Sequence, residues 1–235
     1  MHQNILKNGK NSMKIIAHIE TEFGTKFGVP RQSGLIDELR GRIVFEPEYR
    51  VPEALRGIEG FSHIWLLWCF SQAQRDSWSP TVRPPRLGGN TRMGVFATRS
   101  PFRPNAIGLS SVRLIGVDYD CPDAPVLIVA GADLMNGTPI YDIKPYLPYT
   151  DSHPDATGGF TDAHPQEREM LDVVIPEHLA ARLDAGTLAA LRSTLARDPR
   201  PRYQDDASRI YGMSFARYEI KFTVSDCTAT VVEII

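Results

Sequence analysis

The sequence predicts a mainly β protein, with a closed or nearly closed sheet over residues 13–155 and a small α+β unit over 160–235. Three observations predict it. Short runs that alternate apolar and polar residues follow one another closely through the first 150 positions, as strands do. Eighteen glycines and 18 prolines separate them, which favours turns over a helical bundle. After a polar linker at Thr150–His164 the pattern changes to a helical period and then back to alternation.

Met13–Glu20 alternates and is predicted as the first strand, after a disordered extension at residues 1–12. Thr21–Gly34 reads as a loop, with Gly24, Gly28 and Pro30. Arg42–Phe45, Ser62–Phe70, Gly94–Thr98, Ile107–Asp118 and Val126–Leu134 are the next strand candidates. Beyond the linker, Pro176 opens a helical pattern in which Leu179 and Leu183 lie four apart. Leu188, Leu191 and Leu195 continue that face after a break or kink at Gly186. Asp198-Pro199-Arg200-Pro201 ends it, and Phe215–Thr223 with Ala229–Ile235 reads as a hairpin around Val224–Cys227.

Composition narrows the classes. The net charge is −2, but residues 61–113 carry seven arginines, no lysine and a single acid, Asp76. Arginine forks bind phosphates and carboxylates bidentately and stack on bases. This zone is either an anion or RNA site, or the partner of the acidic half that follows. The longest unbroken apolar run, Ile64–Phe70, is seven residues, against roughly 20 for a membrane-spanning helix. The first 14 residues lack the apolar stretch of a secretory signal. Cys69, Cys121 and Cys227 show no metal-ligand spacing, and a reducing cytoplasm is the expected home. The sequence contains no phosphate-binding P-loop, strand-anchored GxGxxG, GxSxG or HExxH string. His63, in an apolar string, is expected to be a hydrogen-bonded core residue, and Cys69 a small buried hydrophobe.

The candidate chemistry sits in three strings. Arg83–Asn90 (RPPRLGGN) and Gly94–Asn105 (GVFATRSPFRPN) set arginines in proline-stiffened backbone. Each alone is a stiff connection; together they suggest a rim for an anion or nucleotide. Asp133–Tyr146 (DLMNGTPIYDIKPY) offers Asp133, Asp142 and Lys144 for acid–base work or for holding a cation, although Asp142 and Lys144 could equally form one surface ion pair. Phe23–Gln32 (FGTKFGVPRQ) can hold a ligand through its backbone, or be only a loop.

These strings resemble the TrmO (YaeB, or TsaA-like) family of S-adenosylmethionine-dependent tRNA methyltransferases. The resemblance is carried in order by Phe27–Gln32, Gly60–Trp65, Thr81–Asn90, Arg92–Gly108, Asp133–Leu134 and Gly137–Pro148. Arg197–Tyr203 and Ile210–Gly212 look like the two-domain bacterial members. The resemblance implies a single-sheeted β-barrel that binds the methyl donor, a homodimer, and methylation of N6 of threonylcarbamoyladenosine at tRNA position 37, without a metal. It puts the donor site on Pro30, Arg31, Gln32, Ser71, Gln72, Arg99, Leu109 and Ala130, Gly131, Ala132 and Asp133. Ser71-Gln72 stands where many relatives carry His-Gln, and Asn136 where relatives often carry Asp.

On this reading the threonyl carboxylate and the tRNA phosphates give Arg83, Arg86, Arg92 and Arg103, with Asn90, something to bind. Tyr146 and Lys144 are wall residues of the substrate pocket, Asp133 sits near the donor's cationic end, and Asp142 is the candidate proton acceptor. Two other readings use the same barrel: a protein that binds S-adenosylmethionine or RNA without turnover, and a methyltransferase for a small molecule.

Overall fold

The structure, a computed structural model, describes residues 13–73, 77–84, 87–88, 90–163, 170–200 and 206–235. The expected extension at residues 1–12 therefore lies outside the described residues. Six strands close into an antiparallel barrel in the order β1-β2-β7-β6-β3-β8: β1 (Ala17–Glu20), β2 (Arg40–Phe45), β3 (His63–Cys69), β6 (Ile107–Asp118), β7 (Val126–Ala130) and β8 (Thr138–Pro145). Two short strands, β4 (Thr81–Val82) and β5 (Met93–Gly94), pair beside it. The mainly β expectation and the barrel are borne out.

Alternation explains the barrel interior. Ile43 and Phe45 of β2, Ile64, Leu66 and Trp68 of β3, and Val112 and Leu114 of β6 fill it, with Leu127, Val129 and Ile140 opposite. Gly108 faces inward on β6, where a Cβ would lie 2.2 Å from the Trp68 indole. The small residue makes room for the large one. Closure depends on β8, whose Thr138, Pro139 and Ile140 pair with Ile19, His18 and Ala17 of β1.

Several expectations are corrected. Gly94–Thr98 is not a strand: β5 ends at Gly94 and a 3-10 turn covers Val95–Ala97. β7 stops at Ala130, not Leu134, and the first strand begins at Ala17, not Met13. His63 faces outward and is half-buried, its Nδ1 3.0 Å from the Ser62 hydroxyl.

A second core is built on one face of a four-stranded sheet, β10 (Tyr211–Phe215), β11 (Tyr218–Ser225), β12 (Thr228–Ile234) and β9 (Asp172–Val174), in that order. The predicted hairpin exists, but its first strand starts at Tyr218; Ala216 and Arg217 form an earlier turn, and β10 precedes it. The predicted helical stretch resolves into two helices. α1 (Pro148–Asp151) ends the barrel, α2 is Glu177–Ala180, and α3 is Ala185–Ala196. The break falls at Asp184, which caps α3 by accepting from the Thr187 amide at 3.0 Å; Gly186 lies inside the first turn. Asp198 and Arg200 form a buried pair, Arg200 Nε donating to Asp198 Oδ1 at 2.8 Å.

Candidate functional site

The chain from Phe23 to Leu39 crosses from the barrel to the second core and returns. Phe23, Ile36 and Leu39 are buried in that core, while Pro30–Gly34 between them stay at its edge. Gly34 N–H donates to the Gly131 carbonyl at 2.8 Å, and Gly131 N–H to the Leu39 carbonyl at 3.1 Å. These bonds set Arg31, Gln32 and Ser33 against Gly131–Asp133, just past the end of β7. Arg99 joins them from the loop after β5: its guanidinium donates to Gln32 Oε1, and Gln32 Nε2 donates to the Arg31 carbonyl.

Asp133 is the chemical centre of this cluster. Its Oδ1 accepts from the Ser110 hydroxyl at 2.6 Å, and Ser110 Oγ accepts from Trp68 Nε1 at 3.0 Å. Burial pushes the carboxyl up from the ordinary carboxylate range, while the Ser110 hydroxyl, the Arg99 charge and the Ser33 amide pull it down. The result is a partly buried carboxylate, oriented from inside the barrel, with the Arg99 guanidinium beside it. Such a site suits a small zwitterion, with its cation on the carboxylate and its own carboxylate on Arg99. Ser110 and Trp68 were not among the residues the sequence singled out. The one signal for Ser110 is a polar residue in the inward phase of β6.

The other expected residues are distributed differently. Ser71 and Gln72 are exposed on the turn after β3. Leu109 points outward and is 53% exposed. Register sets it in a row across the outer wall, Leu109 of β6, Leu67 of β3 and Asp142 of β8, with Ser111, Trp65 and Lys144 in the next row. Asp142 Oδ2 and Lys144 Nζ are 3.0 Å apart and largely solvated, so they do form a surface ion pair. Tyr146 leans on Trp65, ring centroids 5.6 Å apart. Asp142 and Asp133 thus lie on opposite sides of the barrel wall. On β8 burial, and then the neighbouring Cys69 thiol, push the Tyr141 phenol above its usual value. Cys69 is buried, as expected.

The arginine zone forms a third surface. Arg83 is exposed, and exposed Arg92 donates to Thr81 Oγ1 at 2.8 Å across β4 and β5. Arg103 lies over the Phe96 ring, 6.0 Å from its centroid, and Phe96 stacks on Trp78 at 6.2 Å and 27°. Phe96 is 71% exposed and Trp78 49%. This aromatic pair was also missed. Asn90 is exposed; Arg86 lies outside the described residues. Among the described residues no group of three or more His, Cys, Asp or Glu is arranged to hold a metal ion, and no helix is long and apolar enough to cross a membrane.

Residues 18–152 match the tRNA-methyltransferase O N-terminal domain, and residues 168–235 match the TrmO C-terminal domain. The chain belongs to the TrmO family. As a member it is a methyltransferase. It is 40% identical over 218 residues to the tRNA (adenine(37)-N6)-methyltransferase of Escherichia coli K12, covering 90% of this chain and 92% of that one. It is 43% identical over 209 residues to a Pseudomonas aeruginosa protein described as a putative S-adenosylmethionine-dependent methyltransferase, covering 86% and 88%. The crystal structure of TrmO from Pseudomonas aeruginosa superposes with a TM-score of 0.77 at 32% identity, covering 97% of this chain and 99% of that one.

Proposed function

We propose that this TrmO-family protein transfers a methyl group from S-adenosylmethionine to N6 of threonylcarbamoyladenosine at position 37 of tRNA. The observation that carries the reading is the oriented carboxylate of Asp133 with the Arg99 guanidinium, itself bonded to Gln32, beside it. The residues fit the donor. Asp133 would face its positive end, Arg99 and Arg31 its carboxylate, and the backbone of Pro30–Ser33 and Ala130–Ala132 would line the rest. The donor supplies an electrophilic methyl group on a positively charged sulfur.

The chain's own task is then positioning. A carbonyl on N6 makes its N–H more acidic than that of an ordinary exocyclic amine, so proton removal needs a path to solvent more than a strong base. Asp142 and Lys144 stand on the outer wall, where the exposed Leu109 would be the nearest donor-site residue along the row. Arg83, Arg92 and Arg103, with the Trp78–Phe96 pair, offer phosphate contacts and stacking surface for an anticodon loop. A cytoplasmic homodimer belongs to the same reading, with exposed Leu109 as apolar surface for a second copy.

The test is transfer of labelled methyl from S-adenosylmethionine to tRNA with and without the threonylcarbamoyl group. Incorporation only into the carbamoylated tRNA is expected. Donor binding without incorporation into either RNA would favour the binding-protein or small-molecule readings, and a binding constant insensitive to salt would favour the small molecule.

A further inference from the structure

The segment that carries Arg31 and Gln32 is fastened mainly by the C-terminal sheet. On its near side Phe23 is fully buried and meets Phe215 edge to face, ring centroids 5.5 Å apart. Phe27 stacks on Phe222 at 6.4 Å and 29°. Gly28 has φ +94°, and a Cβ there would lie 2.3 Å from Met213 Sδ, so the backbone is pressed onto the methionine in a conformation that glycine adopts without strain. Ala216 N–H donates to the Glu22 carbonyl at 2.6 Å. On its far side Leu35, Ile36 and Leu39 enter the same core. Between these anchors residues 30–34 run past Asp133, with the Ser33 amide at its carboxylate.

We infer that the C-terminal sheet is a positioning device for the donor loop: Met213, Phe215 and Phe222 fix the path of Phe23–Val29 and so set the affinity for the methyl donor. The inference rests on the donor reading above. Its physical ground is that a loop held in its binding geometry loses less freedom on binding. The sheet's buried face is shared between two occupants. The loop lies against residues of β10 and β11, and α3 packs against β9 at the other edge. The two halves of the core can therefore be perturbed separately.

The experiment uses the full chain with Met213→Ala, Phe27→Ala and, on α3 of the same core, Leu191→Ala. Calorimetric Kd for S-adenosylmethionine, hydrogen exchange of residues 24–34 and melting temperature are measured for each. Met213→Ala and Phe27→Ala are expected to raise Kd at least tenfold and to lose exchange protection in 24–34, with kcat at saturating donor within threefold of the parent. Met213→Leu should restore both. Leu191→Ala should lower the melting temperature comparably and leave Kd within twofold. If Met213→Ala does not accumulate, Gly28→Ala disturbs the same contact from the loop side. An unchanged Kd and exchange pattern in Met213→Ala and Phe27→Ala would overturn the inference, and so would an equal rise in Leu191→Ala, which would signal general loosening. A parent protein that binds no S-adenosylmethionine would remove the donor reading, while the exchange comparison would still decide whether the sheet holds the loop.

Discussion

Asp133 and Asp142 are nine residues apart, and both lie in the string that the sequence marks as chemically promising, yet the fold gives them opposite surroundings. Asp133 follows β7 and turns its carboxyl to the inward Ser110, beside Arg99 and the Ser33 amide. Asp142 points outward from β8 and shares its charge with Lys144 in solvent. A carboxylate that is partly desolvated and held by a hydroxyl can discriminate a ligand's charge, because little water competes for it. An exposed pair has weak interactions to offer, since solvent screens both partners. The barrel wall, more than the spacing along the chain, assigns the roles.

Replacing Asp133 with Asn tests the inner member, and the largest effect is expected there. The variant keeps an acceptor for Ser110 and loses the charge. Donor Kd should rise roughly 10- to 100-fold, as for a lost hydrogen bond to a charged group of about 1.5–3 kcal/mol. Stability should move the other way. Burial raises the folded carboxyl pKa, so the associated stability is fully present below the ordinary carboxylate range and is lost as pH rises through the raised value. Asn does not ionise, so the variant should melt higher than the parent at pH 8, with the gain shrinking towards pH 4. Unchanged donor affinity in calorimetry would show that the Asp133 charge does not hold the donor.

Ser110→Ala is expected to have the next largest effect. The hydroxyl pulls the Asp133 pKa down, so its removal lets burial push the carboxyl further up. Donor binding that needs an ionised Asp133 should weaken roughly 3- to 10-fold at neutral pH. The acid limb of its pH profile should shift to higher pH. The Trp68 indole loses its acceptor as well, at a cost of about 1–3 kcal/mol in a denaturant titration. Ser110→Ala should therefore lower both affinity and stability, whereas Asp133→Asn separates them. A pH profile that superposes on the parent's would detach Ser110 from the site.

The same contrast explains what could be read from the sequence. β6 is legible because residues 107–114 alternate around one buried face. β8 is not, since Pro139, Pro145 and an irregular register against Leu67 and Trp68 interrupt its pattern, although it closes the barrel. The turn at Ala216-Arg217 carries no Gly, Pro or Asn, so the strand before it merges with the next. The entry of Phe23, Phe27, Ile36 and Leu39 into the distant core has no local period at all. The meeting of Gln32, Arg99 and Asp133 was accessible through family resemblance, because it joins positions 32, 99 and 133 across three loops, which no local pattern can relate. Ser110 needed only the inward phase of β6 to be noticed.

Asp142→Asn tests the outer member, and the smallest effect is expected. The carboxylate is nearly half exposed, and its partner Lys144 is more so, which leaves the pair an interaction of at most about 1 kcal/mol. On the proposed reaction a carbamoylated N6–H would pass its proton to solvent once positioned. Methyl transfer to carbamoylated tRNA under single-turnover conditions should therefore fall by less than about threefold, and donor Kd should not move. A loss of tenfold or more in the transfer rate, with donor binding intact and a dependence on pH that the Asn variant lacks, would instead make Asp142 the proton acceptor. The outer wall would then be the chemical face of the barrel, with Asp133 serving only to hold the donor behind it.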